Sequence, residues 1–222
     1  MNKVLVVAAH PDDEVLGCGG TLAKHVAAGD SVEVLFMADG VGARSPDQQD
    51  QALASRNRAA EDAAARLGIS RLHCLGLADN RLDGYPLLDL VQALEAKLAG
   101  IRPDIIYSHH HGDLNIDHRL THQAVMTACR PLPGSSVKRL YAFEVQSSTE
   151  WALQGQGFVP NVFVDISDHL DVKLQALGCY QEEMRPSPHA RSVEAVEALA
   201  RWRGASVGQG PTEAFVLLRQ CD

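Results

Sequence analysis

The sequence predicts an α/β protein: a Rossmann-like, mostly parallel sheet with helices on both faces, plus an elaborated C-terminal part. Three observations predict it. Strand-like and helical stretches alternate from Lys3 to Cys129, the pattern of a parallel sheet wrapped by helices. The first run, Lys3 to Ala9 (K-V-L-V-V-A-A), is apolar throughout, as a strand buried on both faces must be. Polar residues able to do chemistry follow the ends of such runs: His10, Asp39, Asp79 and His109. Ligands of parallel sheets sit at those carboxyl ends.

After the first strand, Gly17 to Ala28 reads as a helix with apolar Leu22 and Val26. Ser31 to Ala38 is the second strand. Asp47 to Leu67 is Ala-rich and helical, ending at Gly68, a natural residue for the left-handed turn after a helix. Arg71 to Leu77 is the third strand. Leu87 to Leu98 is an amphipathic helix stopped by Gly100. Asp104 to Ser108 is the fourth strand, and Asp117 to Cys129 is helical. Beyond this the order loosens. Lys138 to Val145 and Asn161 to Ile166 read as strands, Asp168 to Tyr180 and Ser192 to Val207 as helices, and Phe215 to Leu218 as a short closing strand. Without a low-complexity linker, repeat or charge block, the whole of 1–222 is expected to be one domain.

The chain has 222 residues, 45% of them hydrophobic and 22% charged, ordinary for a globular α/β protein. A formal net charge of −8 argues against a sequence-independent grip on nucleic acid. No apolar run is long enough to span a membrane, and the N-terminus lacks the shape of a signal peptide. Cys18, Cys74, Cys129, Cys179 and Cys221 form no C-x-x-C pair, so neither a disulfide framework nor a cysteine metal knuckle is expected. A cytoplasmic location fits best.

Two segments carry chemistry. The first is Ala9-His10-Pro11-Asp12-Asp13-Glu14, at the end of the first strand. Adjacent carboxylates at the mouth of a buried strand are costly unless a cation holds them, and His10 adds an imidazole donor. Neighbouring side chains on a turn point apart, so one carboxylate can bind metal while the other faces the attacking water. A bare Asp-Asp pair would read as a helix cap; His10 tips the balance to a metal. Gly17, Gly19 and Gly20 invite comparison with a dinucleotide fingerprint, but three acidic residues stand where pyrophosphate would lie. The glycines fit close helix–sheet packing better. The second segment, His109 to His122, reads H-H-H-G-D-L-N-I-D-H-R-L-T-H. His118 and His122 are four apart, as a two-histidine metal pair would be. Most of these histidines are expected to be loop or cap residues, and His118, beside Asp117, is the candidate ligand.

The stretch A-A-H-P-D-D-E-V-L-G-C-G-G-T-L-A, with D-x-N-x-D-H-R-x-T-H further on, resembles the PIG-L/LmbE-like zinc de-N-acetylases. The likeness weakens after about Val145. The resemblance implies a hydrolase that removes an N-acetyl group from an amino sugar or sugar derivative, releasing acetate and a free amine. It implies zinc, although the ligand types also accept other divalent metals. His10, Asp13 and His118 are the implied metal ligands and Asp12 the implied general base. Arg58, in the R-x-x-E stretch ending at Glu61, and Asp79 are implied to contact the sugar. Many relatives carry a histidine where this chain has Asn115, and some a tyrosine where it has Asp113. Asparagine can donate a hydrogen bond to an oxyanion but cannot supply a proton. Either Asn115 keeps only the oxyanion role, or His109, His110 or His111 replaces the missing group. The implied partner is a small N-acetylated sugar, and homo-oligomers are expected because relatives often form them.

Arg185, His189, Arg191 and Ser192, in Y-Q-E-E-M-R-P-S-P-H-A-R-S, could together grip an anionic group of the substrate such as a phosphate or carboxylate. The alternative is a solvated proline-rich loop. Glu213 reads as an exposed strand-edge acid, and Trp151 and Trp202 as packing residues. Two other functions compete. One is a zinc amidase acting on a non-sugar N-acyl compound or thiol conjugate. The other is a metal- or sugar-binding module without turnover, which would have no use for Asp12 as a base.

Overall fold

The computed structural model describes residues 1–40 and 49–221. The proposed helix start at Asp47 lies outside the described residues. One seven-stranded sheet organises the chain, in the order β3-β2-β1-β4-β5-β7-β6. Its strands are β1 (Lys3–Ala8), β2 (Ser31–Ala38), β3 (Arg71–Leu77), β4 (Ile105–His109), β5 (Arg139–Phe143), β6 (Val162–Asp165) and β7 (Thr212–Gln220). Strands β1 to β5 pair in parallel, and β7 runs antiparallel to both β5 and β6. The order reverses between β1 and β4. The crevice of a doubly wound sheet opens at such a reversal, which brings the residues after β1 and β4 together.

Alternation along the strands explains the two-sided core. Val4, Val6, Val34, Phe36 and Tyr107 pack on one face with Leu22 of α1 (Asp13–Ala27) and Ala60, Ala63 and Leu67 of α2 (Gln49–Leu67). Ala176 and Leu177 of α5 (Leu170–Leu177) join the same cluster. Leu5, Val7, Leu35, Met37 and Ile106 pack on the other face. There they meet Leu90 and Leu94 of α3 (Leu87–Ile101) and Val125 of α4 (Ile116–Ala128). A last helix, α6 (Val193–Ala205), precedes β7.

Several expectations need correction. Helix α1 begins at Asp13, not Gly17, and kinks at Cys18 (φ −149°, ψ 16°). The glycines do serve packing: a side chain on Gly17 would strike Phe143 of β5, and one on Gly20 would strike Ile166. Helix α3 runs through Gly100 to Ile101, which is buried, and Arg102 supplies the left-handed turn at φ 51°. Strand β7 is a long inner strand rather than a short closing edge, because it bonds on both sides. Glu213 within it is buried, not exposed. It accepts hydrogen bonds from the Gly20 and Thr21 amides (3.0 and 2.7 Å), which the α1 kink frees, and from Lys173 Nζ (2.6 Å). Trp151 and Trp202 are largely exposed and do not pack in the core.

Candidate active site

The chain leaves β1 at Ala8, and the Ala9 amide donates to Nε2 of His109 at the end of neighbouring β4 (2.8 Å). His10, Pro11 and Asp12 then turn into α1. Asp12 carries the turn at φ 121°, a backbone conformation that costs a non-glycine residue of order 1–3 kcal/mol. The local network fixes it. Its carbonyl accepts from Val15 and Leu16, and its amide donates to Glu14 Oε2 (3.0 Å). The His10 amide donates to Asp13 Oδ2 (2.9 Å). A strained backbone held this firmly is a common sign of a functional site.

His10, Asp13 and His118 converge, with one donor atom from each lying within 4.8 Å of the others. All three are buried. His10 Nε2 faces Asp117 Oδ2 and Asp79 Oδ1, each at 3.1 Å, so Nε2 carries a proton and Nδ1 is the nitrogen turned toward Asp13. Nδ1 lies 3.4 Å from Asp13 Oδ2. For His118 the arrangement is reversed: Nδ1 faces Asp113 Oδ2 at 3.1 Å, and Nε2 points toward Asp13 at 3.3 Å without hydrogen-bond geometry. Asp13 Oδ1 and His118 Nε2 are buried with no hydrogen-bond partner. Buried polar atoms without a partner are rare and costly. Two imidazole nitrogens and a carboxylate fit a divalent cation, with room left for water.

The charges agree. Burial alone would lower the His118 pKa, but the Asp13 and Asp113 carboxylates push it up to about 9. Burial would raise that of Asp13, but His118 and its neighbours hold it well below the usual carboxylate range. Burial raises Asp12 to about 6, with Arg191 opposing the rise. Glu14, buried against Tyr180, is pushed up to about 7.

His10 and His118 are thus each oriented by an aspartate of the D-L-N-I-D-H segment, an arrangement the sequence reading missed. Asp117 also accepts the amides of Asn80 (2.8 Å) and Leu82 (3.1 Å). Asp113 accepts Ser148 Oγ (3.0 Å) and Thr149 Oγ1 (2.5 Å). The signal was available: a histidine that binds metal usually gives its other ring N–H to a carboxylate or carbonyl, and two aspartates stand in this segment.

A cavity of about 270 Å³ opens beside His10 and Asp12. Asp79 and Asn115 line it, as do Arg56, Glu183, Arg185 and Arg191. Asn115 caps α4, its Oδ1 accepting the Asp117 amide (2.8 Å), so what it can offer the cavity is its Nδ2–H donors. His109, His110 and His111 do not line this cavity. His109 stacks on His118 with ring centroids 4.0 Å apart, and His110 faces the Gln156 carbonyl (2.9 Å). His122 faces the His109 carbonyl and not the ligand cluster.

Arg58 is not brought to the cavity. It is exposed, donates to the Ala54 carbonyl, and lines a separate open groove of about 410 Å³ that holds neither His10 nor Asp12. Arg56 is there instead. It donates to the Pro11 carbonyl (2.7 Å) and to Glu183, and lies 3.9 Å from Asp12 Oδ2. Arg56 shares the buried face of α2 with Ala52, Ala60, Ala63 and Leu67. Two residues on, a helix has turned to the opposite face. The expected anion grip is also rearranged. Arg185 sits at the rim and donates to the Glu182 and Met184 carbonyls. His189 turns away, accepting the Arg191 amide (3.0 Å). Arg191 pairs with Asp12 (2.8 Å).

A family profile described as GlcNAc-PI de-N-acetylase (PIG-L) matches residues 5–129. The deacetylase YaiS of Escherichia coli K12 is 30% identical, with 78% of this chain and 88% of that protein aligned. The diacetylchitobiose deacetylase of Thermococcus kodakarensis is 31% identical, over 82% of this chain and 70% of that protein. Among solved structures, the conserved protein TT1542 of Thermus thermophilus superposes with a TM-score of 0.80 at 27% identity, covering 100% of this chain and 97% of the other.

Proposed function

Since the chain belongs to the PIG-L de-N-acetylase family, we propose that it is a metal-dependent hydrolase that removes the N-acetyl group of an amino sugar, with zinc as the metal. The observation that carries this reading is the pair of buried polar atoms without a hydrogen-bond partner, Asp13 Oδ1 and His118 Nε2, beside the Asp12 carboxylate that lines the cavity. Relatives named for chitobiose and glucosamine-derivative deacetylation support the amino-sugar class.

His10, Asp13 and His118 would hold the cation. Bound there, it supplies Lewis acidity toward the acetamide oxygen and makes water acidic enough to ionise near neutrality. Asp12 takes the proton of the attacking water and returns it to the leaving nitrogen. A carboxylate raised to about 6 suits both halves of that task, ionised at pH 7 yet basic enough to be useful. Among the described residues, His10 is the one histidine that lines the cavity, so none besides it competes for the acid step. Asn115 Nδ2–H donates to the carbonyl oxygen as negative charge grows there. Asp79 and Arg56 face the sugar, Asp79 accepting from its hydroxyls. The cavity volume suits one sugar ring, with a further group reaching the rim at Arg185.

The test is acetate release from a panel of N-acetylated amino sugars by metal-loaded protein, with Asp12→Asn in parallel. D12N is expected to lose at least about 100-fold in kcat and to retain its metal. Cleavage confined to non-sugar N-acyl compounds would overturn the substrate class. A fully active D12N would overturn the base.

A further inference from the structure

We propose that Arg191, which lies beyond the stretch matched by the family profile, is the positioning residue of the base: it clamps one oxygen of Asp12 and leaves the other to carry the proton. The proposal rests on the reading of Asp12 as base. Arg191 Nη1 donates to Asp12 Oδ2 (2.8 Å), while its Nε donates to Ser147 Oγ (2.6 Å). One rigid, planar guanidinium thus spans two chain segments. Both ends are anchored. Ser147 sits at φ 71°, and the Ser147 and Ser148 amides donate to the Glu150 carboxylate (2.7 and 3.1 Å). The Arg191 carbonyl accepts the Arg185 amide (3.2 Å).

Asp12 is correspondingly asymmetric. Its Oδ2 holds the guanidinium, and its Oδ1 has no hydrogen bond among the described residues, although the side chain lines the cavity. With the backbone of Asp12 already pinned, fixing Oδ2 fixes where Oδ1 points. Arg56 does not duplicate the clamp. It is 3.9 Å from the same oxygen, beyond hydrogen-bond reach, and donates to Pro11 and Glu183 instead. With Nη1 on Asp12 and Nε on Ser147, the donors that Arg191 keeps in reserve are those left on Nη1 and Nη2.

The test compares wild type, R191A, R191K and D12N as zinc-loaded proteins, with N,N′-diacetylchitobiose and N-acetylglucosamine as probes. For R191A, kcat is expected to fall about 10- to 100-fold with KM changed less than about threefold. Zinc content should stay unchanged, and millimolar guanidinium should restore part of the loss. R191K, which keeps the charge but not the fork, should fall between. A raised KM at unchanged kcat would overturn the proposal in favour of substrate binding. An inactive D12N beside an unimpaired R191A would overturn it while sparing the base, and an active D12N would remove the base reading itself. An arm that needs no substrate is urea unfolding of the same proteins and R191A/D12N. The effect of R191A on the unfolding constant should shrink at least about threefold in the D12N background. Full additivity would overturn the pairing.

Discussion

Asp113 shows how much of this site is decided one side chain away from the ligands. Its Oδ2 faces Nδ1 of His118, and its other contacts, from Ser148, Thr149 and the Asn115 amide, leave it one orientation. That fixes the tautomer in which Nε2 of His118 is free for metal. Asp113→Asn should therefore weaken zinc binding about 10- to 100-fold, measured by competition with a chelating dye, while the fold survives. Unchanged affinity would show that His118 needs no such partner. At this scale the sequence was partly legible. His10, Asp12, Asp13 and His118 stand out because unusual residue types recur at strand ends. The aspartates that aim them do not, because an acidic residue at a helix start has an ordinary explanation as a cap. Arg56 was hidden for another reason: next to an alanine-rich pattern, Arg58 looks equally plausible until the buried face of α2 is traced.

Helix α1 is the element most dependent on tertiary partners. Its kink at Cys18 leaves the Gly20 and Thr21 amides without helical acceptors, and Glu213 of β7 takes both. Lys173 of α5 neutralises Glu213 and also donates to the Leu16 carbonyl (2.9 Å). Nothing local announces this pairing, and so Glu213 reads from sequence as an exposed acid. Lys173→Met leaves a buried carboxylate without its cation and should cost about 3–5 kcal/mol in urea unfolding. The first turn of the same helix gives a pH signature. Burial raises Glu14 to about 7 from an ordinary 4.5, so the folded protein holds a proton that the unfolded chain releases. This contribution is favourable below pH 4.5, declines as pH rises, and is fully lost above pH 7, a change of order 3 kcal/mol. Glu14→Gln mimics the protonated acid and can still meet both Tyr180 and the Asp12 amide. It should flatten the stability profile between pH 5 and 7; an unaltered profile would reject the assignment.

Across the whole molecule, the parallel half of the sheet was legible because its strands are apolar on both faces and its helices periodic. The antiparallel addition was not, since β7 mixes charged Glu213 and Arg219 with its apolar run and could equally close an edge. The order reversal between β1 and β4 gathers ligands from distant stretches of chain. Among the described residues no helix is long and apolar enough to cross a membrane. Because the folded protein presents the three ligands together and the unfolded chain does not, metal binding adds to folding stability. Chelation should lower Tm by at least a few degrees, and zinc should restore it. His118 at about 9 in the metal-free protein means that loading releases a proton near neutrality, so apparent affinity should fall as pH drops. Titration calorimetry in buffers of different ionisation enthalpy reads that proton directly.

The inner position of β7 has a consequence for the far end of the site. The proposed ligands and the base all belong to the stretch ending at His118. Yet α1, which follows the base directly, has its kink sealed by Glu213 of β7, a strand that begins only at Thr212. No residue of β7 lines the cavity beside His10 and Asp12. A lesion in this strand would therefore be felt at the base by way of the helix, without touching a substrate.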